Sequence, residues 1–279
     1  MSRDSNRLFS GQALQRNAKN VRKSKPVAHF AVGFLLIAGF STAVCFVSAP
    51  PEHEIGSYAT SLRNRKQSQV HNACLAVKAI NNTIVPPGGI FSFHKVVGPW
   101  TIERGYVEAP VSYNGELIRD LGGGVCQASS TLYNAALLAG LEILERHRHH
   151  WPARYAPLGR DAAVAYPDAD LRFRNNLPAP VRIVGRIECE KLVFSVLSRC
   201  RPPYSVRIRT EVRSVVAPSV VVQGAALYSF GGSGAAVQGR AGFHVVTYRE
   251  FVFDSRSRTQ VVSEDFYPAF HRVVRAAKR

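Results

Sequence analysis

Apolar positions recur along this 279-residue chain in three rhythms, and each predicts a different kind of element. The first is unbroken: residues 27–49 form a 23-residue apolar run in which only His29 can carry charge. As a helix rising about 1.5 Å per residue, such a run crosses the roughly 30 Å of a bilayer's hydrocarbon core. The second rhythm is helical. Val70, Ala73, Cys74, Val77 and Ile80 share one face of a helix over 68–81, which Asn81-Asn82 and Pro86-Pro87-Gly88-Gly89 bring to an end. Leu132, Ala135, Ala136 and Ala139 repeat the pattern after a run of three glycines. The third rhythm is that of strands. Residues 107–111 and 116–118 flank Tyr113-Asn114-Gly115, a hairpin turn signal, and 90–93 is a short strand or buried loop. Further strands are expected at 142–145, 171–173, 181–187, 192–197, 206–212, 220–222, 243–253 and 261–266, with a loose Gly/Ala/Ser segment at 224–242. The predicted class is α+β, mixed helices with an antiparallel β-rich second half, preceded by one transmembrane helix.

Charge gives this order a direction. Residues 1–26 hold seven Lys or Arg against Asp4 alone, so the tail is expected to stay cytoplasmic and the chain after Pro50 to be exported. A cleaved signal ending near Val47-Ser48-Ala49 is the alternative to a retained anchor at 27–49. Residues 50–66 are polar and mixed and read as a linker, 67–200 as the main domain, and 201–279 as its β-rich extension. Of the net charge of +17, the tail supplies +6, which leaves an exported part that is itself basic. Outside a membrane the matching anions are lipid head groups, wall polymers and peptidoglycan carboxylates. No basic stripe interleaved with aromatics points to nucleic acid. The five cysteines form no disulfide framework: Cys45 lies in the apolar run, Cys74 on the first helix's apolar face, and Cys189 and Cys200 flank one strand.

The remaining cysteine is the chemical centre of the chain. Gly122-Gly123-Gly124-Val125-Cys126-Gln127 delivers Cys126 to a helix start, where positive φ or a close backbone approach accounts for the glycines. The helix dipole there favours a thiolate, and Ser129, Ser130 and Thr131 are placed to cap the first turn. A small buried hydrophobe in a tight turn is the alternative role for this cysteine. A nucleophile needs a base and an orienting group. His147, His149 and His150 are candidates for the base and Asp161 for the carboxylate, with amides near Cys126 and Gln127 as an oxyanion hole. A zinc site from Cys126, His147 and His149 lacks an identifiable fourth ligand, and no Lys-Ser or Lys-Thr pair follows the glycines to make a phosphate loop. No metal and no cofactor are expected.

Five separated motifs carry a resemblance: Pro87-Gly88-Gly89-Ile90-Phe91-Ser92-Phe93, Val97-Gly98-Pro99, Glu103-Arg104-Gly105-Tyr106, 122–135, and Tyr155-Ala156-Pro157-Leu158-Gly159-Arg160-Asp161-Ala162. In this order they resemble the VanW family, over about 65–270 if Gly239-Arg240-Ala241-Gly242-Phe243 is included. The resemblance implies an extracytoplasmic cell-envelope protein of bacteria, in a family named for an accessory member of vancomycin-resistance clusters. It further implies an L,D-transpeptidase-like cysteine in the Gly-Gly-Gly-x-Cys-Gln motif, here Cys126, and a histidine that carries over to His149. This chain departs from the family pattern with His150 where a serine is usual and with Arg148 where a proline or asparagine is common. The expected function is a membrane-anchored cysteine acyltransferase acting on peptidoglycan stem peptides or another wall polymer. Cys126, His149, a reserve His147 and Asp161 would be catalytic, and Arg160, Gly123, Gly124, Gln127 and Tyr155 would bind substrate. A non-catalytic peptidoglycan- or glycopeptide-binding module is the alternative.

Overall fold

The computed structural model describes residues 51–113, 116–223, 239–270 and 272–275. The basic tail, the apolar run at 27–49, Cys45, the turn residues 114–115 and most of the loose segment lie outside the described residues. Among those described, no helix is long and apolar enough to cross a membrane. The fold is mixed, with few helices and mostly antiparallel sheets.

The segment expected to be a linker is instead a strand. β1 (His53–Ser61) pairs antiparallel with β9 (Lys191–Ser198) at the edge of a four-stranded sheet that continues through β8 (Val181–Glu188) to β2 (Thr83–Val85). Its sequence, HEIGSYATS, conceals this because small and hydroxylated residues occupy the inward positions. Thr60 is buried against the helix behind it, and a Cβ at Gly56 would meet the backbone nitrogen of Ala139 at 2.4 Å. Packing that close needs polar or tiny side chains, which carry no hydrophobic rhythm.

Helix α1 (Gln67–Ile80) buries Ala73, Ala76, Val77 and Ile80, while Cys74 sits half-buried at the edge of that face. β3 (Ile90–Ser92), β7 (Arg172–Arg174) and β6 (Glu142–Glu145) form a small sheet whose Phe91 and Phe173 rings stack at 4.7 Å. α2 (Phe93–Val97) follows β3 directly. The expected hairpin is β4 (Glu108–Tyr113) with β5 (Glu116–Leu121). It runs straight into α3 (Val125–Leu138), which is buried along nearly its whole length. A helix buried on all sides reads as apolar all round, and its polar residues must find partners inside. They do. Gln127 reaches Thr60 and the Ser61 carbonyl, and Thr131 meets Thr60 at 2.8 Å.

Beyond this domain lie β10 (Ser205–Val216), β12 (Gly242–Val252) and β13 (Ser257–Tyr267), an antiparallel sheet, and the parallel pair β11 (Val220–Gln223) and β14 (Arg272–Arg275). The sheet is fastened to the chain after α3. Arg249 donates to the Leu141 carbonyl at 2.6 Å, and Thr247 donates to the Gly159 carbonyl at 3.2 Å. Cys189 and Cys200 sit at opposite ends of β9, whose eight residues span about 26 Å, far beyond disulfide reach. Both are free thiols.

Candidate active site

The glycine turn is shaped by its neighbours. Gly124 takes φ 108° as the residue preceding α3, and a Cβ there would fall 2.1 Å from the Gln69 carbonyl oxygen of α1. The same test at Gly122 meets the Trp100 ring at 2.4 Å and at Gly123 the Pro110 carbonyl at 2.7 Å. Val125 N–H donates to Gly122 O at 2.9 Å and Gln127 N–H to Gly124 O at 3.1 Å. The Gln127 amide is therefore engaged, and Cys126's own N–H is the first-turn donor at the thiol. No side chain caps α3. The serines expected to cap it point the other way, because hydroxyls inside a buried helix bond carbonyls. Ser129 donates to Ala162 O at 2.5 Å, and Ser130 both donates to Ala162 O and accepts from Ala162 N–H at 2.8 Å. Asn134 donates to Arg160 O at 2.7 Å. The helix that carries Cys126 thus grips the backbone on both sides of Asp161.

Asp161 is 1% exposed and holds the imidazole of His149. Its Oδ2 lies 2.6 Å from His149 Nδ1 and accepts from the His149 backbone N–H at 2.6 Å. Nε2 is left 3.4 Å from the Tyr155 hydroxyl, and the imidazole and the Cys126 thiol line the same cleft and shift one another's titration. The thiol also donates to Val164 O at 3.4 Å. On its other side Asp161 is saturated with donors: Tyr267 Oη at 2.6 Å and Arg146 Nη2 at 3.2 Å reach Oδ1, and Arg146 Nε reaches its carbonyl at 2.6 Å. Arg146 in turn binds Asp265 through Nη1 at 2.5 Å.

Electrostatics favour an ion pair. Burial pushes the Cys126 thiol up, but its hydrogen bond to His149 and that ring's positive charge outweigh burial and leave the thiol below its ordinary value. Burial likewise disfavours the imidazolium, yet Asp161 and the thiolate raise His149 to about 10. Asp161 is pushed up by burial and brought down to about 2 by its hydrogen bond to His149 and by the charges of His149 and Arg146. A thiol lowered from its ordinary value, an imidazole raised by its neighbours and an ionised carboxylate behind it suit covalent catalysis at a carbonyl.

This array forms the floor of a cleft of about 790 Å³. Gly123, Gly124, Gln127 and Tyr155 line it with Cys126 and His149, although the Gln127 side chain is tied to β1. Arg65, Lys66, Arg119, Arg154 and Arg240 surround it, and no Asp or Glu is among the described residues of its walls. Other expectations are corrected. His147 turns outward to Glu145 at 3.0 Å and is no reserve base, and His150 packs edge-on against Trp151 on the surface. Arg160 faces away from the cleft, its Nε on Asn134 Oδ1 at 2.6 Å and its guanidinium over the Tyr58 ring. Among the described residues no three His, Cys, Asp or Glu side chains are grouped to hold a metal. Arg65, Arg146, Asp265 and Tyr267 escaped the sequence reading. Only the position of Arg65 just before the first helix, at the end of the expected linker, offered any signal.

Comparison with known proteins places this arrangement. Residues 68–197 match the family described as VanW like protein. Over 145 residues the chain is 44% identical to the uncharacterized protein YoaR of Bacillus subtilis (strain 168), covering 52% of this chain and 48% of that one. Over 142 residues it is 29% identical to the vancomycin B-type resistance protein VanW of Enterococcus faecalis (strain ATCC 700802 / V583), covering 49% and 52%. The chain therefore spans about half the length of these curated relatives. A crystal structure of HP0197-G5 aligns with 27% of this chain and 100% of its own at 19% identity, with a TM-score of 0.16 that carries no argument about the fold. The glycine turn, Cys126, His149 and Asp161 all lie inside residues 68–197, and this segment is VanW-like.

Proposed function

We propose that this protein is a cell-envelope cysteine acyltransferase that acts on peptidoglycan stem peptides through a thioester, as an L,D-transpeptidase does. The observation that carries the reading is the Cys126 thiol in one cleft with a His149 imidazole that Asp161 holds through Nδ1 at 2.6 Å. The thiolate attacks the carbonyl carbon of the donor peptide, and the resulting oxyanion accepts a hydrogen bond from the Cys126 N–H. Collapse breaks the carbon–nitrogen bond while His149 Nε2 gives its proton to the departing amine, leaving a thioester. An acceptor amine then attacks the thioester, passes its proton to Nε2 and expels the thiolate. An acid-free, cationic cleft suits an anionic wall polymer. An extracytoplasmic domain anchored through 27–49 completes the proposal, and a role in glycopeptide resistance is suggested by the name of the Enterococcus relative.

The test is incubation of the full chain with disaccharide peptides, read by mass spectrometry. Loss of a terminal residue or gain of a cross-link is expected from the native protein and not from Cys126→Ala, with Cys126→Ser close to inactive. Saturable binding without any covalent change in native protein would replace this reading with that of a binding module.

A further inference from the structure

Some arginines in and around the cleft are offset by a carboxylate, Arg119 in its wall by Glu108 at 3.6 Å among them, and others are not. Arg63 binds Glu190 at 3.2 Å, Arg172 binds Glu145 at 3.4 Å, and Arg174 binds Glu142 at 2.9 Å. Within the cleft, Arg65 and Arg154 have no carboxylate within ion-pair distance among the described residues. Arg65 is half-buried, its guanidinium 4.8 Å from the centre of the Tyr155 ring. Burial, followed by the nearby charge of Arg154, lowers its pKa despite a favourable contribution from Tyr155. Taking a guanidinium partly out of water beside a second cation is unfavourable unless an anion joins them.

Where that anion belongs follows from the same tyrosine. The Tyr155 hydroxyl is 3.4 Å from His149 Nε2, the atom that protonates the departing amine, and Arg65 lies over the ring of that tyrosine. The guanidinium thus lies beyond Tyr155 from Nε2, a gap that a departing segment of one to three residues at about 3.5 Å each would span. We infer that Arg65, assisted by Arg154, forms a carboxylate-binding subsite that selects donors whose departing segment carries a free carboxylate. Placing the subsite on the departing side rests on the acyl-transfer reading above. A guanidinium fork fits a carboxylate with two parallel hydrogen bonds, which sets it apart from a general cationic surface.

Two small alkylating reagents separate the subsite from the nucleophile. Iodoacetate and iodoacetamide react alike, the Cys126 sulfur displacing iodide to form a carbon–sulfur bond, but only iodoacetate carries the carboxylate. The iodoacetamide rate reports the thiolate, so a slow rate in the native protein would overturn the nucleophile. The ratio of the two rates on one thiol judges the subsite whatever their absolute size. In Arg65→Met the iodoacetate-to-iodoacetamide ratio at Cys126 is expected to fall about tenfold, and in Arg65→Lys by less. Arg63→Met, outside the cleft, should leave the ratio alone. A ratio within twofold of native in Arg65→Met, or an equal fall in Arg63→Met, would overturn the proposal. Should Arg65→Met fail to fold, the ratio in Arg154→Met decides in the same way, because Arg154 is exposed and its loss leaves the core intact.

Discussion

The segment 68–197 and the sheet β10–β12–β13 both reach Asp161, from opposite sides. The first supplies the thiol, the imidazole and the glycine turn, and its side of the carboxylate opens through His149 onto the cleft. The second supplies no reacting group, only the Tyr267 hydroxyl and, through Arg146, the Asp265 carboxylate. One side is open and partly solvated, the other dry and fully bonded. A buried carboxylate that orients an imidazole needs both: it must present one oxygen to the ring and have the other satisfied, or burial would raise its pKa and neutralise it. The VanW match ends at residue 197, yet the environment of its buried acid is completed some 70 residues later.

The most severe way to break this arrangement is to remove the shared residue. Asp161→Ala leaves Arg146 buried beside Asp265 and frees His149, and is expected to cost about 3–5 kcal/mol in urea unfolding, with slowed alkylation of Cys126 in whatever folds. A loss below 1 kcal/mol would mean that the two regions do not meet energetically at this carboxylate.

Proton linkage offers a gentler probe. Asp161, depressed from 3.8 to about 2, stabilises the fold above 3.8, and that contribution of about 2 kcal/mol is lost as pH falls through 2. His149, raised from 6.5 to about 10, stabilises fully below 6.5 and progressively less as pH climbs to 10. Cys126, lowered from 9.0, works in the opposite sense and gains until pH 9. The urea midpoint should therefore drop below about pH 4 and above about pH 9. In Cys126→Ala the alkaline drop should begin closer to pH 6.5, and an unshifted onset would deny the coupling between thiol and imidazole.

Tyr267→Phe isolates the contribution of the C-terminal sheet. It removes one donor to Asp161 and an acceptor for the Gly159 N–H at 3.1 Å, so about 1.5–3 kcal/mol should be lost. If unfolding changes by less than 0.5 kcal/mol, the sheet is an appendage. The smallest effect belongs to His147→Ala: a half-exposed side chain on a surface pair should change stability by under about 0.5 kcal/mol and leave Cys126 alkylation unaltered.

What the sequence made legible was local. The glycine run, the helix after it and the neighbouring histidines and aspartate are each encoded within a few residues, and so Cys126, His149 and Asp161 could be named. Contacts across 106 and 119 positions, Tyr267 and Arg146–Asp265, leave no trace in a local pattern, because any buried polar residue on a strand looks like a misplaced surface one. β1 was hidden for a related reason: its inward positions had to be small to approach α3. Arg160 was expected to bind substrate, but its charge is spent on Asn134 and the Tyr58 ring, partners 26 and 102 positions away that no local pattern reveals.

The three glycines before Cys126 look like slack in the chain, but each is wedged against a different body. A methyl group at 122 would push on the Trp100 ring, at 123 on the hairpin strand at Pro110, and at 124 on α1 at Gln69. Gln69 and Pro110 themselves line the cleft. Single alanines at 123 and 124 would therefore act less on the thiol than on the aperture, each displacing one wall of the cleft, whereas alanine at 122 would press on a ring behind that lining.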